Sequence, residues 1–216
     1  MHYEEDVTIS MTRTEIIQRL IDERGYKSYL EIGVFRKDNF NKIKCEHKVS
    51  VDPDSEAHAN FCTTSDDFFK LTTSQFDIIF IDGLHEHNQV WRDIQNSLKH
   101  LRKGGVIVMH DCMPTSEHTA RWDNKSHQDE EWYGDVYKAY LKAYKELPYK
   151  VYCIDTDCGC GIIDTTKERA NAESKEAFLN AMKVEPINMD NITFEDYKFA
   201  KKYNLYGVEH DLRIND

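Results

Sequence analysis

The stretch FDIIFIDGLHEHNQVWRDIQNSLKHLRKGGVIVMHD, residues 76–111, reads as a strand, a helix and a second strand in immediate succession. Both ends are short runs rich in Ile, Val and Phe, the composition of strands buried on both faces. Between them, from Glu86 to Leu101, Val90, Ile94, Leu98 and Leu101 recur at helical spacing. Two strands joined by a single crossover helix are expected to be parallel neighbours in one sheet. The residues leaving them, Ile81-Asp82-Gly83-Leu84-His85 and Met109-His110-Asp111, should then share one edge.

Outward from this unit the same grammar repeats. SYLEIGVF (28–35) and HKVSVDPD (47–54) precede it, and YKVYCIDTD (149–157) and CGCGIID (158–164) follow it. Each is a short apolar run closed by acidic or small residues. Thr12 to Arg24 places Ile16, Ile17, Leu20 and Ile21 on one helical face, with Thr12 as cap and Gly25 as stop. Alternating strands and helices predict an α/β, doubly wound, mostly parallel sheet with helices on both faces. The last two runs are nearly contiguous, so they are expected to pair as an antiparallel hairpin.

With 216 residues and no Pro/Gly/Ser-rich linker, the chain is expected to form a single domain over 1–216. Its core should span about 12–164, with a helical appendage over about 165–216 patterned around Lys175 to Met182 and Phe194 to Tyr203. Hydrophobic residues make up 40% and charged residues 31%, an ordinary globular mixture. A formal charge of -11 argues against nucleic acid as a partner, because phosphate backbones are bound by cationic neutralisation. The acidic start MHYEEDV lacks the features of a signal peptide, and no apolar stretch is long enough for a membrane span. A soluble cytoplasmic protein is expected, with self-association left open. Six scattered cysteines form no disulfide framework, and Cys158-Gly159-Cys160 lacks the usual zinc-pair spacing.

In doubly wound sheets, ligands bind outside the carboxyl ends of the strands. At the first such end, Glu31-Ile32-Gly33 offers a glycine where backbone can approach a ligand, or simply a turn. About twenty residues on, Asp52 before Pro53 can accept hydrogen bonds from both ribose hydroxyls, or can serve a turn. Ser65 and Asp66 could contact an adenine edge, although Ser65 is equally a helix cap. Asp82, His110 and Asp111 should converge, and carboxylates with an imidazole suit a divalent cation. The competing reading is a set of caps and loop carboxylates. The further glycines of a dinucleotide fingerprint and the P-loop Gly-Lys-Ser/Thr are both missing, which disfavours a nicotinamide oxidoreductase. A non-catalytic binding protein has only the acidic surface and the C-terminal segment in its favour.

LEIGV, VDPD, FDIIFIDG and GGVIVMHD resemble the motifs of class I S-adenosylmethionine-dependent methyltransferases. That resemblance implies a Rossmann-like, seven-stranded sheet with a reversed last strand. The coupled pattern IDGLHEH and LRKGGVIVMHD is similar to the metal-dependent sugar O-methyltransferases of the macrocin type. It is also similar to small glycan-capping methyltransferases of bacteria and large algal viruses, where the location would be the host cytoplasm. The resemblance spans about Tyr29 to Asp164. It implies S-adenosylmethionine as donor, with Glu31 and Gly33 by the methionine moiety, Asp52 on the ribose, and Ser65 and Asp66 by the adenine. It further implies Mg or Mn at Asp82, His110 and Asp111, a sugar or glycan acceptor, and Asp82 in contact with both donor and metal. A non-sugar small molecule is the alternative acceptor. This chain carries His110-Asp111 where the macrocin type usually has two acids, and Leu84 where that type has Asp. His85 is preferred as general base over His87 and His110, with helix capping as its structural alternative. Trp122 to Asp135 is expected to form a lid.

Overall fold

The computed structural model describes residues 11–123, 131–168, 187–210 and 212. Along its strands, successive side chains enter opposite cores, as the period of two dictates. Ile78 and Phe80 of β4 (Phe76–Ile81) join Val106 and Val108 of β5 (Leu101–Met109) in one core. Ile79, Ile81, Ile107 and Met109 from the same strands enter the other. Both faces are therefore apolar and both must be covered.

One face is covered by α1 (Arg13–Arg24), whose Ile16, Ile17, Leu20 and Ile21 are buried, and by Phe40 of α2 (Asp38–Lys42). The other takes α3 (Ser65–Leu71), α4 (His87–His100), α5 (Val136–Glu146) and α6 (Phe194–Lys202). The local signals act as expected at α1. Thr12 and Glu15 form a reciprocal capping box, and Gly25 ends the helix in the left-handed conformation. The crossover helix α4 is capped by the Glu86 carboxylate, which accepts from the amides of Asn88 and Gln89. His85 is therefore not the cap.

The remaining strands are β1 (Ser28–Ile32), β2 (His47–Asp52), β3 (Phe61–Cys62), β6 (Tyr149–Ile154), β7 (Cys160–Glu168) and β8 (Val208–Glu209). Their spatial order is β3-β2-β1-β4-β5-β7-β6-β8. All pairs are parallel except those of β7, which runs antiparallel to both β5 and β6. The mostly parallel α/β sheet and the hairpin agree with the sequence reading, but among the described residues the sheet has eight strands rather than seven. The extra strand comes from the C-terminal segment, expected to be only helical. It pairs with β6, whose outer edge would otherwise expose unpaired backbone groups. There Cys153 N donates to Gly207 O at 2.9 Å and Asp155 N to Glu209 O at 3.0 Å. The helix expected around Lys175 to Met182 lies outside the described residues. Among the described residues, no helix is long and apolar enough to cross a membrane.

The chain runs from β1 outward to β2 and β3, then returns to β4 on the other side of β1. This reversal opens a crevice at the carboxyl ends of β1 and β4. Far from that edge, α1 is bolted to β7 by a buried ion pair. Arg24 Nη2 and Nη1 lie 2.6 and 2.9 Å from the two oxygens of Asp164, which also accepts from Thr166. Burial opposes ionisation of Asp164, but these donors hold its pKa below the usual carboxylate value. Without Asp164, Arg24, only 11% exposed, would keep Tyr26 OH but no counter-charge, which is costly. Asp164→Ala should lower unfolding free energy at pH 7 by about 3–5 kcal/mol in urea titrations. Because the folded pKa is depressed, the pair's contribution is present above about pH 4 and fades as pH falls further, so the gap to wild type should narrow there.

Candidate active site

Three hydrogen bonds align the strand ends. Gly33 N donates to Val51 O and Asp82 N to Ile32 O, both at 2.9 Å, and His110 N donates to Ile81 O at 3.1 Å. The ladder thus continues one residue past each strand, setting Gly33, Asp82 and His110 side by side. Gly33 has φ 80°, and a Cβ there would collide with the carbonyl oxygen of Asp82. Its glycine is required by the neighbouring strand end itself.

Around Asp82 the side chains converge as the sequence spacing predicts. His110 Nδ1 lies 3.4 Å from Asp82 Oδ1 and 3.2 Å from Asp111 Oδ2. His85 joins them, with Nε2 3.5 Å from Asp82 Oδ1 and Nδ1 3.3 Å from Asp111 Oδ2. Asp111 adopts φ 58°, a conformation that costs a non-glycine residue energy and that recurs at functional sites. Burial works against ionisation of Asp82, but hydrogen bonds from His110 and His85 hold its pKa well below the carboxylate range. Burial likewise opposes protonation of His85, yet Asp82 and Asp111 raise its pKa.

Two further groups were not anticipated. Arg13, at the start of α1, places Nη1 2.8 Å from His110 Nε2 and 3.4 Å from Asp157 Oδ1, with Nε 4.0 Å from Asp82. Arginine only donates, yet the same Nε2 lies 3.3 Å from the acceptor Asp157 Oδ1, while Nδ1 faces Asp82 and Asp111. Burial opposes protonation of His110, but hydrogen bonds to Asp111, Asp157 and Asp82 raise its pKa. Asp157 enters from the β6–β7 turn and accepts from Arg13 N at 2.6 Å. Its position had a visible signal. YKVYCIDTD ends in acids like the other runs, and β6, reversed twice relative to β5, ends on the same edge. Arg13 had none, because its helix reads simply as a sheet cover.

Two groups of side chains bring ligand atoms within 4.8 Å of one another: Asp82, His85 and Asp111, and His110, Asp111 and Cys158. In the first group His85 Nδ1 is buried without a hydrogen-bond partner. A buried imidazole nitrogen with no hydrogen bond, beside the Asp111 carboxylate and on a ring whose other nitrogen faces Asp82, fits a divalent cation.

The other residues expected by the donor, Glu31, Asp52, Ser65 and Asp66, make contacts of their own. Glu31 is 2% exposed, accepts from Tyr29 and from Asn39 Nδ2 at 3.0 Å, and burial raises its pKa to about 7. Asp52 Oδ2 accepts from the amides of Val34 and Phe35 at 2.9 and 3.1 Å, and Oδ1 from Asp54 N at 2.9 Å. It ties the β1 loop to β2, keeping lone-pair capacity on Oδ1. Ser65 is not the α3 cap; Thr64 is, accepting from Asp67 N at 3.2 Å. Ser65 instead meets Gln89 at 3.2 Å, and Asp66 pairs with Arg92 at 3.3 Å, so both face α4.

The region expected as a lid is partly fixed. Residues 124–130 lie outside the described residues and Trp122 is exposed. Trp132 stacks on His85 with ring centroids 4.6 Å apart, and its Nε1 donates to Arg121 O. A Cβ at Gly134 would collide with His85, and Asp135 is 2.6 Å from His87 Nδ1. His87 also contacts Asp190 at 3.0 Å, so it pins α4 to α5 and stands away from the cluster. A cleft of about 530 Å³ opens beside the cluster, with Asp157, Cys158 and Tyr133 in its wall.

Residues 30–112 match a family model described as a methyltransferase domain. No curated protein matches the chain. Among solved structures, an O-methyltransferase from Bacillus cereus in complex with SAH is 17% identical, with TM-score 0.53 over 72% of this chain and 82% of its own. TomG from Streptomyces achromogenes, an O-methyltransferase involved in tomaymycin synthesis and solved with SAM, is 15% identical, with TM-score 0.51 over 71% and 79%. A putative caffeoyl-CoA O-methyltransferase from Staphylococcus aureus is 16% identical, with TM-score 0.53 over 70% and 82%. At these identities the likeness is one of fold. The chain thus combines a match to a methyltransferase domain model over residues 30–112 with the fold of these O-methyltransferases.

Proposed function

We propose that this chain transfers a methyl group from S-adenosylmethionine to a hydroxyl of a sugar or glycan, assisted by a divalent cation such as Mg or Mn. The observation that carries the reading is the convergence of Asp82, His85 and Asp111 at the strand edge, with the His85 nitrogen left unpaired. The donor would lie along the β1 and β2 ends, with Glu31 and Gly33 by its amino-acid part and Asp52 on the ribose. Ser65 and Asp66 would lie by the adenine. Exposed Phe35, Phe61 and Leu84 in the adjoining segments offer apolar surface for a purine.

S-adenosylmethionine supplies an electrophilic methyl, which an oxygen must approach in line at close range. A cation held by Asp82, His85 and Asp111 would supply Lewis acidity, making a sugar hydroxyl a better nucleophile. His110, with Nδ1 close to both Asp82 and Asp111, orients the two carboxylates. Trp132, stacked on His85, fixes that ring and excludes water from one side. The sugar assignment is supported by the paired IDGLHEH and GGVIVMHD pattern. The aromatic wall of the cleft keeps a non-sugar small molecule as second reading. His85 as general base remains the alternative to its ligand role, because both its nitrogens face carboxylates.

Calorimetry with S-adenosylmethionine, followed by labelled methyl transfer to sugar acceptors across a panel of divalent ions, tests the reading. Asp82→Asn should reduce turnover at least about a hundredfold with an unchanged melting profile. Full activity after exhaustive chelation would discard the cation. His85→Ala separates the two roles: loss of Mn affinity identifies a ligand, and a slow enzyme that still binds Mn identifies a base. Asp52→Ala should weaken donor binding about tenfold or more, read by calorimetry, since it removes both a ribose acceptor and the tether of the β1 loop.

A further inference from the structure

Four residues of α6, Phe194, Tyr197, Lys198 and Lys201, line the cleft beside the cluster. Their spacing is i, i+3, i+4, i+7, so one helical face presents two aromatic rings and two ammonium groups to the same space. The opposite wall is the β6–β7 turn, with Asp155, Thr156 and Asp157. That turn is conformationally forced: Asp157, Cys158 and Gly159 have φ 44°, 66° and 86°, and a Cβ at Gly159 would collide with Met113. Strain of this kind persists where surrounding structure holds a side chain in place. The side chain held is Asp157, 3.3 Å from His110 Nε2, so the cleft opens directly onto the candidate active site.

The lysines are an exception on an acidic protein. The chain carries 28 Lys and Arg against 39 Asp and Glu, so its overall field repels anions. Yet Lys198 and Lys201 stand one helical turn apart at this cleft. Their partners are weakly held: Lys201 lies 4.0 Å from Asp155, itself 40% exposed, and Lys198 pairs with Glu195, which is 78% exposed. Such surface pairs contribute little, so both ammonium groups are available to an incoming anion. Aromatic rings meet the apolar face of a sugar, while carboxylates and threonine hydroxyls meet its hydroxyl edge. The volume of about 530 Å³ suits a monosaccharide with one substituent.

We infer that this cleft is the acceptor site, and that its ligand is a sugar bearing an anionic substituent, phosphate or carboxylate, held by Lys198 and Lys201 while a hydroxyl faces the Asp157 end. The inference rests on the methyltransferase reading for the word acceptor, but binding itself does not. The test is calorimetry on the full chain with glucose, glucose 6-phosphate, glucuronate and inorganic phosphate, for wild type and for the Lys198→Gln/Lys201→Gln variant. Both lysines are exposed, so this variant should fold. The expected result is about tenfold tighter binding of an anionic sugar than of glucose, lost in the variant, with S-adenosylmethionine affinity unchanged in both. Preference between glucose 6-phosphate and glucuronate identifies the anion. Equal binding of glucose and both anionic sugars, or anionic binding undiminished in the variant, overturns the proposal. So does inorganic phosphate binding as tightly as glucose 6-phosphate, because the sugar would then contribute nothing. Failure of S-adenosylmethionine to bind would instead sink the methyltransferase reading, leaving the sugar isotherms to be judged separately.

Discussion

At the carboxyl edge of the sheet, the backbone of Gly33 crosses so close to the carbonyl of Asp82 that no side chain fits between them. The arrangement of the candidate site depends on that approach. It lets the β1 loop turn across the end of β4 while the ladder still closes from Gly33 N to Val51 O and from Asp82 N to Ile32 O. With the two strand ends locked in register, Asp82 is held beside His110, and β1 and β4 frame the crevice created by the reversal of strand order. An L side chain at position 33 would face both the collision and a left-handed backbone.

The second constraint is electrostatic. Asp82, Asp111 and Asp157 are brought within reach of one another at a partly buried edge of an already acidic chain, an arrangement whose self-repulsion must be offset. Arg13 and the imidazoles of His85 and His110 do so, each touching two or more of the carboxylates. The same features make the cluster receptive to a divalent cation. Three converging anions and an unpaired nitrogen constitute a field that protein cations only partly neutralise.

The proposed acceptor cleft is assembled from different material than the candidate site at the strand ends. The cluster sits on strand ends held by the ladder, where positions are rigid. The cleft is built between the β6–β7 turn and α6, contributed by the last part of the chain. That separation follows a common division in α/β folds, in which the sheet fixes the chemistry and appended segments vary the substrate. Here the appended segment is also structural, since β8 satisfies the edge of β6, and Tyr206 OH donates to Cys112 O, just after the β5 strand end.

Residue types and local periodicity alone determined the strands, the crossover helix, the capping of α1 and the acids at each strand end. These are short-range properties, fixed by side-chain volume, burial on alternating faces and a few hydrogen bonds between near neighbours. What they could not decide is which of those ends meet, and with whom. Thr64 rather than Ser65 caps α3, His87 turns away to Asp135, and Asp52 commits Oδ2 to the β1 loop, because each choice depends on a partner distant in sequence or on a register difference of one residue. Arg13, 144 positions from Asp157, joins the site only when α1 docks across the sheet and the β7 reversal returns the chain to the same edge. Tertiary packing decided that contact, because no local spacing encodes the meeting of two side chains separated by the whole core.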